Sequence, residues 1–208
     1  MIPVTDPRIE KYLLSLLPDD DPLLREMERI AREKGFPIID RLVGRFISLL
    51  VRIKNPQLVV ELGSGFGYSA YWFARAMNRG KVVLIDYDES NIDYARGIFE
   101  GSALAPQAEF HVGDALIVGQ QYHDIDILFI DIDKYQYLDA VAAMKPHLAK
   151  DALVIADNTL WYGKVADREN DLDTMGIRAF NQQMFRDRDF FSTIIPLRDG
   201  VLVSQKIG

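Results

Sequence analysis

The chain has 208 residues, 49% hydrophobic and 26% charged, with 14 Gly, 9 Pro and no Cys. That fits one ordinary domain, which at this size buries roughly 70% of its unfolded surface without staples, and it excludes disordered, collagen-like and Cys-rich chains. The absence of cysteine removes thiolate metal sites and a Cys nucleophile and agrees with a reducing cytoplasm, while a net charge of −7 disfavours non-specific binding to nucleic acid.

The opening MIPVTDPRIEKY lacks the basic-then-apolar pattern of a leader. Asp6-Pro7 and Asp21-Pro22 each offer an N-cap with Pro at N1, and apolar residues follow at helical spacing up to Gly35. A third helix is predicted over 40–54, with Leu42, Phe46, Leu49 and Leu50 on one face. From Gln57 the pattern alternates. Strands are predicted at 58–62, 81–85, 109–112, 125–130 and 152–156, with helices at 69–77, 89–100 and 135–148 between them. Such alternation means a parallel sheet covered by helices on both faces. The apolar runs are short and interrupted by Asp, so none is expected to span a membrane. A helix at 174–186 follows, then strands at 190–197 and 201–206 joined by Asp199-Gly200 as a tight antiparallel turn. The sum is a seven-stranded, mostly parallel sheet.

Chemistry concentrates after the first strand, in Glu61-Leu62-Gly63-Ser64-Gly65-Phe66-Gly67-Tyr68-Ser69. Glycines there permit a sharp turn and close ligand approach before a helix N-terminus, although a plain tight turn uses the same residues. The third glycine comes too early for a dinucleotide fingerprint. An acid two residues before the first glycine suits an amino-acid-bearing nucleoside better than a pyrophosphate. Asp86, ending the second strand, is placed either to hold ribose hydroxyls or to cap a helix. Gly113-Asp114-Ala115 after the third strand is placed to read an adenine edge.

With these motifs the chain resembles the S-adenosylmethionine-dependent O-methyltransferases of the catechol and caffeoyl-CoA type. The resemblance runs through ELGSGFGYSA, IDYD, VGDA, FIDIDKYQY, ADNTLWYGKVAD, IRAFN and PLRDGVLVSQK. It implies a single domain, 1–208, of the Rossmann-like class I methyltransferase fold. Residues 1–55 would form part of the acceptor side and 56–208 the cofactor-binding α/β core. It assigns Ile39, Glu61, Gly63, Ser64, Ser69, Asp86, Asp114, Ala115, Asp131 and Asp133 to S-adenosylmethionine.

Asp131 ends the fourth strand and Asp157-Asn158 the fifth, so in a parallel sheet their oxygens converge on one edge. Taken singly, such residues are often turn caps. With the family blocks they read as a hard-oxygen site for Mg²⁺, with Mn²⁺ or Ca²⁺ as alternatives. His111, His123 and His147 are scattered and give no zinc cluster. Lys134 is an ordinary surface charge on its own, and within the resemblance a general base beside the metal, with Asp131 as its catalytic neighbour. Trp161 and Tyr162 are expected to wall the acceptor pocket. Arg45 stands where the family usually has Gln, Tyr162 where plant members have Asn, and Lys150-Asp151 where Gly-Gly is usual. Arg45 is placed with the substrate residues.

The implied reaction moves a methyl group onto a small vicinal-dihydroxy aromatic acceptor. Two alternatives stay open: methylation of a hydroxyuridine in tRNA, with Arg41 and Arg45 touching phosphate, and S-adenosylmethionine binding without turnover. A homodimer is expected from the family and from the apolar N-terminal helices.

Overall fold

A computed structural model of the chain describes residues 5–18, 21–168 and 170–208. Residues 1–4, which begin the segment read as having no leader, lie outside the described residues. Three helices come first: α1 (Pro7–Ser15), α2 (Pro22–Lys34) and α3 (Arg41–Lys54). Each starts on an aspartate whose side chain accepts from first-turn N–H groups, namely Asp6, Asp21 and Asp40. Left-handed Gly35 and Asn55 end the second and third. The buried stripe of α3 differs from the expected one. Val43, Ile47 and Val51 are fully buried, whereas Leu49 is 53% exposed. Its polar residues Arg41, Arg45, Ser48 and Arg52 form one stripe, and the flank of the broad apolar arc that packs is the one carrying Val43, Ile47 and Val51, not the expected opposite flank.

Seven strands form one sheet: β1 (Leu58–Leu62), β2 (Lys81–Asp86), β3 (Ala108–Val112), β4 (Ile125–Ile130), β5 (Leu148–Ala156), β6 (Phe190–Ile195) and β7 (Val201–Lys206). Their order is β3-β2-β1-β4-β5-β7-β6, with β1 to β5 parallel and β7 antiparallel to both its neighbours. Alternate residues divide between two cores. Val59, Leu84, Ile127 and Phe129 pack on the layer holding α2 and α3 with α4 (Tyr68–Ala76) and α5 (Glu89–Glu100). Val60, Leu62, Ile85 and Ile130 pack on α7 (Tyr137–Met144) and α8 (Leu172–Arg186), beyond the short α6 (Ala115–Gly119). Among the described residues no helix is long and apolar enough to cross a membrane.

Two local expectations change. The register on β4 jumps from Ile125↔Leu148 to Ile127↔Leu153, so the Lys150-Asp151 stretch bulges inside β5, with Asp151 at φ 57°. The connection from β6 to β7 takes residues 196–200 and is no two-residue turn. The reason is tertiary. Thr159 N–H donates to Gly200 O and Leu160 N–H to Asp199 O, both at 2.9 Å, which fastens this connection to the loop after β5.

Candidate active site

Strand order reverses between β1 and β4, and the carboxyl edge of an open parallel sheet forms a crevice at that point. A cavity of about 820 Å³ occupies it. This lies toward the upper end of small-molecule sites and suffices for a nucleoside-sized ligand with a small second one. Its walls are the loops following β1 to β5, the segment 36–39 ahead of α3, and Arg198 from the β6–β7 connection.

The glycine loop forms the floor. Gly63 has φ 82°, and a Cβ there would stand 2.3 Å from the Asp131 carbonyl oxygen, so only glycine lets β1 end against β4. Gly67 begins α4 without any side-chain cap, leaving first-turn N–H groups unsupplied. Asp86 accepts from Gly65 N–H at 2.8 Å, Asp88 N–H at 2.9 Å and Asn91 Nδ2 at 3.2 Å. A carboxylate offers about four acceptor positions, so Asp86 is chiefly a brace for the loop with roughly one position left for a ribose hydroxyl. Asp114 caps α6 through Leu116 N–H while also lining the cavity with Ala115.

Glu61 sits one layer further back. It is fully buried, bonds the Ser69 hydroxyl, and keeps Oε2 without a partner. Burial pushes its carboxyl up to about 8, despite the Ser69 bond. Ile39, Ser64, Ser69 and Asp133 line the cavity itself.

The main-chain ladder carries two acids to one corner. Asp131 N–H donates to Leu62 O at 3.0 Å and Asp157 N–H to Ile130 O at 3.2 Å, so both residues directly extend neighbouring strands. Asn158 follows at φ 56° and is also buried. Burial and the facing Asp131 charge hold the Asp157 carboxyl above the usual range, and its Oδ1 is buried without a partner. An orphaned carboxylate oxygen beside a second carboxylate fits a divalent cation. No three His, Cys, Asp or Glu side chains converge to hold a metal among the described residues, so the Asn158 amide would complete the set.

Lys134, 8% exposed, donates to Asp131 Oδ1 at 2.7 Å, Tyr137 Oη at 2.9 Å and Ile132 O at 3.1 Å. An ammonium has three protons, and all three are taken. Tyr137, which closes the FIDIDKYQY block but is given no role by it, passes the chain on by donating to Asp157 O at 3.0 Å. Lys134 therefore joins both carboxylate strands, and it can accept a proton only after giving one of its own three away.

Trp161, Tyr162 and Gly163 all have positive φ, at 46°, 54° and 78°. Left-handed non-glycine residues cost of order 1 kcal/mol or more each and need fixing from outside. Asp199 supplies it by accepting the Tyr162 N–H, and Arg178 of α8 donates to Val165 O at 3.0 Å and Lys164 O at 2.8 Å. Asn181, one turn on, holds Thr159 O at 2.7 Å. The IRAFN segment thus works as a clasp for the aromatic wall.

Arg45 does not join the site. It is exposed on α3 beside a small cleft with Leu17, Asp21 and Trp72, away from the large cavity, because α3 turns Val43 and Ile47 inward. Arg41 lines the same cleft and pairs with Glu28 at 2.7 Å. Arg198 and Asp173 line the cavity although sequence reasoning does not reach them. Their only sequence signal is membership of the RDG turn and of the first turn of α8.

The O-methyltransferase family model matches residues 14–207. A catechol O-methyltransferase of Niastella koreensis is 29% identical over 91% of this chain and 90% of its own. A methyltransferase from Geobacter sulfurreducens has a solved structure that covers both chains fully at 43% identity and a TM-score of 0.88. The O-methyltransferase TomG of Streptomyces achromogenes, solved in complex with SAM, is 26% identical, covers 97% of this chain and 96% of its own, and has a TM-score of 0.87. Glycine loop, paired acids and aromatic wall all stand within the matched span, and the chain belongs to the O-methyltransferase family.

Proposed function

We propose that this chain takes a methyl group from S-adenosylmethionine and delivers it to one hydroxyl of a small vicinal-dihydroxy aromatic. The carrying observation is the corner where Asp131, Asp157 and Lys134 meet inside a cavity large enough for two ligands. Asp114 and Ala115 would border the adenine, Asp86 the ribose, and Ser64, Ser69, Asp131 and Asp133 the amino-acid end, with Ile39 closing over it. Glu61 would act through Ser69, its buried charge balanced by the ligand's ammonium.

Asp131, Asp157 and the Asn158 amide would hold a divalent cation, Mg²⁺ first among the candidates. Such a cation lowers the pKa of a hydroxyl bound to it. Lys134 acts as the neutral amine: having given the proton that points at Asp131 to solvent, it takes the acceptor proton on its Nζ lone pair, while its two remaining N–H bonds, to Tyr137 and the Ile132 carbonyl, keep the nitrogen in place. Trp161 and Tyr162 confine the ring and exclude water. The attacking oxygen loses negative charge as the sulfonium loses positive charge, so positioning contributes more than new charge stabilisation.

A homodimer belongs to the same reading, using exposed Ile9 and Tyr12 of α1 and Leu16 just after it, with Leu49 and Ile53 of α3. The test is methyl transfer from labelled S-adenosylmethionine to catechol and to phenol. Transfer to catechol alone supports the proposal, and transfer to neither, or to both equally, contradicts it.

A further inference from the structure

Among the described residues two cations line the cavity, Lys134 and Arg198. The Lys134 protons are all engaged. Arg198 is different. Among the described residues its one side-chain hydrogen bond runs from Nη1 to Asp157 Oδ2 at 3.4 Å, well beyond the 2.7–2.9 Å of a close charge-assisted bond, and its charge also faces Asp199. The rest of the five-donor guanidinium is uncommitted. Its backbone has φ 50°, a conformation better suited to glycine, yet a long cationic side chain is carried here into the site. The neighbouring Asp199 and Gly200 are bonded to the loop after β5, which fixes the base of this side chain beside the Asp131–Asp157 corner.

We infer that Arg198 selects acceptors bearing a carboxylate on the dihydroxy ring, an inference that rests on the methyl-transfer reading above. A guanidinium fork matches a carboxylate through two parallel bonds. Every other ionisable wall group near that corner, Lys134 aside, is an acid: Asp131, Asp133, Asp157 and Asp173. A monoanion meets its one available partner in Arg198, whereas a phosphate dianion would meet the same acids with twice the charge. The opposite design, an acidic wall that draws in an ammonium-bearing ring, would leave the free donors of Arg198 without a use.

The experiment compares wild type with Arg198→Gln and Arg198→Gly, the second chosen because glycine suits the left-handed backbone. Acceptors are 3,4-dihydroxybenzoate, catechol and 2-(3,4-dihydroxyphenyl)ethylamine, with labelled S-adenosylmethionine and saturating Mg²⁺. Wild type should prefer the benzoate. Both variants should lower the benzoate-to-catechol ratio of kcat/KM by about 10- to 100-fold, the worth of a charged hydrogen bond. An unchanged ratio, or a wild-type preference for the amine, overturns the inference and leaves Arg198 as a counter-charge for Asp157. Equilibrium binding of the benzoate to the protein loaded with S-adenosylmethionine separates the two readings. If no acceptor is methylated, the methyl-transfer reading falls by itself. Weaker benzoate binding in the variants then still supports Arg198 as the carboxylate partner, and equal binding contradicts it.

Discussion

Buried carboxyls govern the chemistry at the scale of single residues. Glu61 ionises near 8 in the folded chain against 4.5 ordinarily, so the folded state holds the extra proton between those values. Its contribution is complete below about 4.5 and is lost as pH rises through 8. Wild-type stability should therefore carry a downward component of up to about 1.4 kcal/mol per pH unit in that window. Glu61→Gln should remove it, and melting temperatures from pH 5 to 9 without cofactor would show the two curves crossing over. Parallel curves would mean that Glu61 is ionised when folded. For Lys134, alanine should lower kcat by about 10²–10⁴-fold near pH 7, with partial recovery as the acceptor ionises unaided at higher pH. Parallel pH–rate profiles would make Lys134 a positioning residue. The acids themselves are legible in the sequence because each closes an apolar run that marks a strand end. The orphaned Oδ1 of Asp157 is not, since it depends on what packs around the end of β5, and the bonds that saturate Lys134, although all within three residues, depend on the 3₁₀ turn at 134–136.

At the scale of elements, the site depends on how α8 seats. Gly176 of α8 faces the 3₁₀ turn Lys134–Gln136, and a Cβ there would come within 2.5 Å of Tyr135 Cα and 2.8 Å of the Lys134 carbonyl oxygen. Both atoms are backbone and cannot swing aside. Gly176→Ala should destabilise the chain by about 1–3 kcal/mol, as overpacking does, and should displace Lys134 as well. Thermal unfolding together with kcat checks this, and an unchanged melting temperature would contradict the tight seating. Helix starts are readable because each N-terminal Asp makes a local bond within three residues. Strands are readable because a short, continuous apolar run bounded by turn residues is what burial on both faces of a parallel sheet demands. The β6–β7 connection looks like a tight turn in sequence because its true partner is the loop at 159–160, some forty residues away. Arg45 lies on the polar stripe of α3 with Arg41, Ser48 and Arg52, which turns it outward; placing it with the substrate follows from the resemblance and not from the helix pattern.

For the whole molecule, the sheet brings five loops to one edge, and the cavity there is the meeting point of both core layers. Strand order is what joins Asp131 to Asp157, because β4 and β5 are adjacent and in parallel register. That adjacency follows from reading β-α alternation as a doubly covered parallel sheet, whereas the contribution of the chain's tail to the cavity does not. Cation-assisted methyl transfer at this edge is tested most directly by following transfer to catechol by wild type and Asp157→Ala through a cycle of EDTA treatment and Mg²⁺ return. Wild type should lose activity in EDTA and regain it with Mg²⁺, while Asp157→Ala stays inactive and still folds. Full wild-type activity in EDTA would contradict a cation-assisted site.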